Sequence, residues 1–143
     1  MIITVGHGAR SAAAFVSLLQ QARIELLVDV RAYPASRRHP HFAREPLARS
    51  LASAGMAYDW QGTALGGMRA QGYLAHLQTP EFEQAARALI ATGGARRVCI
   101  MCAETDPSDC HRWHISDWLV AHGERVVHLI AQRETREHAA RLC

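Results

Sequence analysis

The sequence contains no lysine: all 16 of its basic residues are arginine. That absence excludes Schiff-base lysine chemistry, a pyridoxal-phosphate anchor and the lysine of a Walker A loop. Every cationic contact must therefore be a guanidinium, suited to planar, bidentate grips on phosphate or carboxylate. No apolar run approaches the roughly 18 residues that a membrane-spanning helix needs, so no membrane is expected. Four cysteines in 143 residues do not read as a disulfide framework. The chain enters Ile2-Ile3-Thr4-Val5 without a basic leader or a cleavage-like site, which points to the cytoplasm. A net charge of +3 is too small to imply wholesale nucleic-acid affinity.

Several chemical signatures are missing as well. A Cys-based phosphatase loop, C-x5-R, needs arginine at position 108 or 116, and both are serine. Gly6-His7-Gly8 lacks the third glycine of G-x-G-x-x-G, because Ser11 stands there. The zinc-deaminase pattern is absent. Cys102, Cys110 and His111 form C-x7-C-H, which is not a zinc-finger or ribbon spacing, and neighbours such as Cys110 and His111 are expected to point apart. No metal is therefore expected, and no cofactor motif survives.

What is present is ordinary in bulk, 49% hydrophobic and 20% charged, and of a length for one α/β domain with a real core. Ile2 to Val5 reads as a strand ending at Gly6-His7-Gly8. Ser11 caps a helix with Phe15, Leu18, Leu19 and Ala22 at helical spacing, and Ile24 to Val30 forms a second buried strand. Strand, helix and strand within about 30 residues make a βαβ unit with parallel strands. A helix over 45–54 and a strand over 56–60 follow, then a glycine-rich stretch, 61–74, read as a long flexible loop. Pro80 opens a helix to about Thr92, ended by Gly93-Gly94. Val98 to Cys102 is a buried strand; Ser108 or Asp109 then offers an N-cap, with Cys110 in the first turn of the next helix. Residues 125–130 give a fifth strand and 132–142 a short terminal helix. The expected fold is one Rossmann-like domain: about five mostly parallel strands with helices on both faces.

If the first, second and fourth strands are parallel neighbours, their carboxyl ends share one edge, where such sheets bind ligands. That edge collects His7, Asp29, Arg31, Cys102, Glu104, Cys110 and His111, with Arg112 beside them. A thiol at a helix N-terminus feels the positive end of the dipole, which favours thiolate at Cys110. Residues 32–44 contain no acid but hold Arg37, Arg38 and Arg44, an electropositive lip over the same edge. With the glycine-rich loop this suits a phosphate-bearing ligand. Tyr33, Phe42, Tyr58, Trp60 and Tyr73 flank these loops and can stack on bases. The bland counterpart is an ion-pair network, Asp29 or Glu104 with Arg31 or Arg112, that ties strand ends together.

T-V-G-H near the start, L-V-D-V-R-A-Y-P-A-S-R, L-G-G, and M-C-A-E-T-D-P-S-D-C-H-R with Val127-His128 downstream closely resemble the DUF488 family over about residues 3–130. The resemblance implies a compact α/β domain and a cytoplasmic bacterial or archaeal protein, and brings no established reaction. Carried over by position, its motif residues are Gly6 and His7; Asp29, Val30, Arg31, Pro34, Ser36 and Arg37; Leu65, Gly66 and Gly67; and Cys102, Glu104, Pro107, Cys110, His111 and Arg112. Gly8 is a departure, since the family often has serine there.

The leading expectation is a hydrolase or group transferase acting on a phosphorylated or nucleotide-like substrate. Arg31, Arg37 and Arg112 would hold the anion, with Gly6, His7, Ser36, Gly66 and Gly67 around it. Asp29 or Glu104 would serve as general acid or base, and Cys110 or His111 as nucleophile or proton donor, with Cys102 beside them. The alternatives are a non-catalytic nucleic-acid or nucleotide-binding module, and a metal- or redox-responsive protein using Cys102 and Cys110.

Overall fold

A computed structural model describes residues 1–139. Its strands are β1 (Ile2–Gly6), β2 (Leu26–Asp29), β3 (Ala57–Trp60), β4 (Val98–Cys102), β5 (Val126–Ala131) and β6 (Glu134–Glu137). They form one sheet in the order β3-β2-β4-β1-β5-β6, parallel except for the β5–β6 pair. The α/β class, the Rossmann-like layering and the parallel β1, β2 and β4 agree with the sequence reading.

Alternation along the central strands divides the core between two faces. Leu26, Val28 and Val30 with Val98, Ile100 and Cys102 pack against Phe82, Ala86 and Leu89 of α5 (Pro80–Ala95) and Ile115 and Leu119 of α6 (Arg112–Ala121). On the opposite face Ile3, Val5, Leu27, Cys99 and Met101 meet Phe15, Leu18 and Leu19 of α1 (Ala12–Gln21) and Leu47 and Leu51 of α2 (Arg44–Ser53). The near-continuous apolar character of these strands follows from burial on both sides. Ser11 caps α1 as expected, its Oγ accepting from the Ala14 N–H at 3.1 Å.

β4 is the hinge of the arrangement. Gly6 lies level with Cys102 and Asp29 level with Met101, so the three carboxyl ends finish side by side. Past the strands, the N–H groups of His7, Gly8 and Val30 continue the ladder onto Cys102 O, Ala103 O and Met101 O at 2.9, 2.9 and 3.0 Å. The chain leaves β1 and β2 toward α1 and α2 on one face, and leaves β4 toward α6 on the other. The exit loops part over this edge and leave a crevice between them.

Four features correct the sequence reading. The sheet has six strands, because Glu134–Glu137 forms an antiparallel partner for β5 where a terminal helix was expected. All four β6 side chains are exposed, so no apolar periodicity marks the strand, and the hairpin turns at Arg133 with φ 61°. The last positions of the expected helix, 140–142, lie outside the described residues. The stretch 61–74 is tied rather than loose: α3 (Gly62–Leu65) and α4 (Tyr73–His76) are joined by Tyr73 OH to Leu65 O at 2.7 Å and His76 Nε2 to Ala64 O at 2.5 Å. Helix α5 runs through Gly93 and Gly94 to Ala95, because Gly93 is pressed against Ile2. Finally, Pro107–Asp109 is a separate 3₁₀ turn, capped by Asp106, and α6 begins only at Arg112. Cys110 sits extended between the two, outside the helix.

Candidate active site

The crevice is a cavity of about 600 Å3 walled by His7, Arg31, Ser36, Gly67, Cys102, Glu104, Cys110 and His111. Eight of the residues singled out in the sequence thus meet at one place. Asp29, Gly6, Gly66, Arg37 and Arg112 do not line it.

Asp29 lies beneath the floor, fully buried. Its Oδ1 accepts from the Arg31 backbone N–H at 3.1 Å and from Arg31 Nε at 2.9 Å. Its Oδ2 accepts from Arg31 Nη2 at 2.7 Å and from the Tyr58 hydroxyl at 2.5 Å. A carboxylate so fully occupied has no lone pair directed at a substrate; it fixes a guanidinium. Burial first, then the Asp29 contact, pushes the Tyr58 hydroxyl upward, so it remains a donor. The ion-pair network of the bland reading is present here, yet Arg31 keeps Nη1 free of the carboxylate, 3.5 Å from His7 Nε2. His7 directs Nδ1 to Gly8 O at 2.8 Å and stacks on Phe42. Burial lowers its pKa, so Nε2 carries a lone pair.

Arg112 is 0% exposed and does not line the cavity. It donates to Glu104 O at 2.7 Å, Thr105 O at 3.0 Å and Thr4 Oγ1 at 3.1 Å. The expectation that it grips an anion is corrected: its guanidinium is a strut that folds the β4–α6 loop back over β1. Gly6 permits that return, since a Cβ there would meet Glu104 O at 1.8 Å. The glycine pair has a packing role too. A Cβ on Gly66 would lie 2.3 Å from Gly62 O, and one on Gly67 would lie 3.2 Å from His111 Nδ1.

The thiol centre shares the cavity lining with Arg31. Cys110 Sγ is 3.5 Å from His111 Nδ1 and accepts the Arg112 backbone N–H, the first of α6, at 3.5 Å. The expectation that Cys110 and His111 diverge is therefore corrected: Cys110 is extended and His111 is the N-cap preceding the helix, so their side chains converge. His111 Nε2 donates to Val30 O at 2.8 Å, which fixes the ring so that Nδ1 faces the sulfur. Tyr73 packs on the imidazole at 5.3 Å between ring centres.

These contacts set the charges. The Cys110 pKa is lowered to about 5, chiefly by the neighbouring Cys102 thiol, then by His111 and the Arg112 N–H, with burial opposing; the Cys102 Sγ–H itself donates to Glu104 O at 3.8 Å. Burial, with Cys110 beside it, pushes Cys102 up, so it stays a thiol. Burial alone would lower His111, but the adjacent Cys110 sulfur and the Val30 carbonyl outweigh it and raise its pKa. These shifts favour the thiolate at Cys110 and the charged imidazole at His111. Cys102, Glu104 and Cys110 place three donor atoms within 4.8 Å of one another; metal ligation there requires Cys102 to surrender the proton that burial holds on it.

The arginine lip is only partly where the sequence put it. Arg37 and Arg38 are exposed and outside the cavity wall, and Arg44 lies 5.0 Å over the Trp60 ring. Arg69, which sequence reasoning missed, lines the cavity, with Nε on Gly66 O at 2.9 Å and Nη2 on Thr63 O at 2.6 Å. Its position two residues after the glycine pair was the available signal. Tyr33 and Tyr73 line the cavity as the flanking aromatics, whereas Tyr58 is occupied with Asp29 and Trp60 with Arg31 O. Trp118 packs on Phe82 and Trp113 on His128 and His138, helix packing in both cases.

No helix among the described residues is long and apolar enough to cross a membrane. No curated protein and no solved structure matches the chain. A family model described as "Domain of unknown function DUF488" matches residues 11–119, which include the D-V-R block, the glycine pair and the C-x-E…C-H-R block around this cavity. The chain belongs to the DUF488 family.

Proposed function

We propose that this cavity is the active site of a cysteine-dependent hydrolase or group transferase for a phosphate-bearing, nucleotide-like substrate. The observation that carries the reading is the Cys110 sulfur, held beside His111 Nδ1 and the Arg112 N–H, with Cys102 Sγ within 4.8 Å, at the wall of an arginine-containing cavity. Cys110 is the nucleophile. As its sulfur bonds to the electrophilic centre, His111 passes its Nδ1 proton to the leaving group, and the now neutral ring is left to draw a proton from water or an acceptor. Glu104, exposed at the mouth, assists that second step. Arg31, braced by Asp29, holds the anionic group, with Arg69 also on the cavity lining. Tyr33 and Tyr73 supply faces for a base. The chemistry needs a reduced thiol, which favours the cytoplasm as its compartment.

A second reading, a non-catalytic nucleic-acid module, draws on Tyr33, 70% exposed, next to the exposed Arg37 and Arg38 on one loop. Turnover of a panel of nucleotides, phosphomonoesters and phosphodiesters by wild type and Cys110→Ser separates the two. The enzyme reading expects turnover that the variant loses. Binding without turnover, equal in both proteins, contradicts it.

A further inference from the structure

The proposed mechanism uses one sulfur, but the fold delivers two. Cys102 is the last residue of β4, and the 3₁₀ turn Pro107–Asp109 brings the chain back so that Cys110 lies over it. Both Sγ atoms sit within 4.8 Å of each other and of a Glu104 oxygen. Both line the cavity but differ in access: Cys110 is at intermediate burial, while Cys102 is 1% exposed. They differ in acidity as well: the pKa is lowered at Cys110 and raised by burial at Cys102. Cys99 projects into the core on the other face of the sheet and cannot compete. An accessible thiolate backed by a buried thiol is the pairing in which the first sulfur is oxidised and the second resolves it.

We propose that Cys110 and Cys102 form a reversible thiol–disulfide switch on this site, set by hydroperoxides. The switch rests on Cys110 being the reactive thiolate of the proposed mechanism. In the first step Cys110 Sγ attacks the terminal peroxide oxygen. An S–O bond forms and the O–O bond breaks; the His111 Nδ1 proton goes to the departing oxygen, giving an alcohol or water. The sulfur loses two electrons to the peroxide and becomes a sulfenic acid. In the second step Cys102 Sγ attacks Cys110 Sγ, the S–S bond forms, the S–O bond breaks, and the sulfenic oxygen leaves as water with the Cys102 proton. The disulfide draws Cys110 down onto β4 and removes the nucleophile. A dithiol reductant restores both thiols by exchange.

The test treats the reduced full chain with a stoichiometric amount of hydrogen peroxide and maps the products by peptide mass spectrometry after alkylation. The expected product lacks two hydrogens, joins the Cys102 and Cys110 peptides, and regains full iodoacetamide labelling with dithiothreitol. Cys102→Ser, given three or more equivalents of hydrogen peroxide, is expected to gain two or three oxygens at Cys110, one per peroxide consumed, with labelling lost beyond recovery by dithiothreitol, whereas wild type at the same excess stays paired and recoverable. Wild-type Cys110 that gains oxygens without pairing, or pairs with Cys99 or Cys143, overturns the switch. Failure of the underlying reading is distinct: Cys110 labelling in untreated protein then rises only above about pH 8, the range of an ordinary thiol.

Discussion

Asp29 holds Arg31 from beneath with two guanidinium bonds, Nε at 2.9 Å and Nη2 at 2.7 Å, and leaves the third nitrogen for the cavity. Both residues are almost completely buried, so the pair has been taken out of water as a unit. Removing one partner strands the other. Asp29→Ala is expected to lower unfolding stability by about 3–5 kcal/mol, read from urea denaturation. Arg31→Lys retains charge but loses the fork, and weakens phosphate-bearing ligands about tenfold or more at smaller cost to folding.

The glycine pair separates folding from reactivity. Gly66→Ala drives a methyl into the backbone of Gly62 and Ala32, 2.3 and 2.8 Å away, and is expected to destabilise by on the order of 1–3 kcal/mol. Gly67→Ala meets only the His111 ring, 3.2 Å away at Nδ1. It is expected to keep stability within about 1 kcal/mol while changing the Cys110 alkylation rate severalfold. Equal effects of the two on both readouts contradict this division.

How much of this was legible in the chain depends on burial. β1, β2 and β4 announced themselves because both of their faces are covered, and the edge holding His7, Arg31 and Glu104 followed from parallel order. β6 has no buried face, so composition carried no trace of it. The strut role of Arg112 and the floor position of Asp29 depend on contacts with residues as far away as Thr4 and Tyr58, which spacing does not encode. The Cys110–His111 contact escaped because helix geometry was assumed through both residues, whereas the helix begins after them.

Away from the cavity, a chain of polar groups runs from buried Thr4 Oγ1 to His128 Nδ1 at 2.6 Å, from His128 Nε2 to His138 Nδ1 at 2.8 Å, and from His138 Nε2 out to the half-buried Asp117 Oδ1 at 2.7 Å. Burial, then His138 and Arg112, lower the His128 pKa to about 3, against 6.5 for a free imidazole. Between those values the unfolded chain takes up a proton that folded His128 refuses. Its contribution is whole above about pH 6.5 and is lost toward pH 3 at about 1.4 kcal/mol per pH unit. His7, lowered by burial, acts in the same direction; His111, raised, acts in the opposite one. Urea midpoints from about pH 7 to 4 are expected to fall, and less steeply in His128→Asn. Parallel profiles for the two proteins contradict the assignment.

Salt dependence bears on the reach of the ligand. If the substrate is a nucleic-acid end, Arg37 and Arg38 pair with phosphates beyond the cavity, and affinity for single-stranded oligonucleotides falls with salt. Replacing both with alanine then reduces the log–log slope by about 0.7 for each phosphate no longer neutralised. An unchanged slope confines the ligand to the cavity and to a small molecule.

The account stands on a charged sulfur at Cys110. The most direct measurement is the rate of iodoacetamide labelling at Cys110, resolved by peptide mapping, as a function of pH. The expected profile is half-maximal near the lowered value of about 5, and His111→Gln moves it upward. A profile half-maximal near about 8.5, unmoved by His111→Gln, is that of an ordinary thiol and contradicts the account.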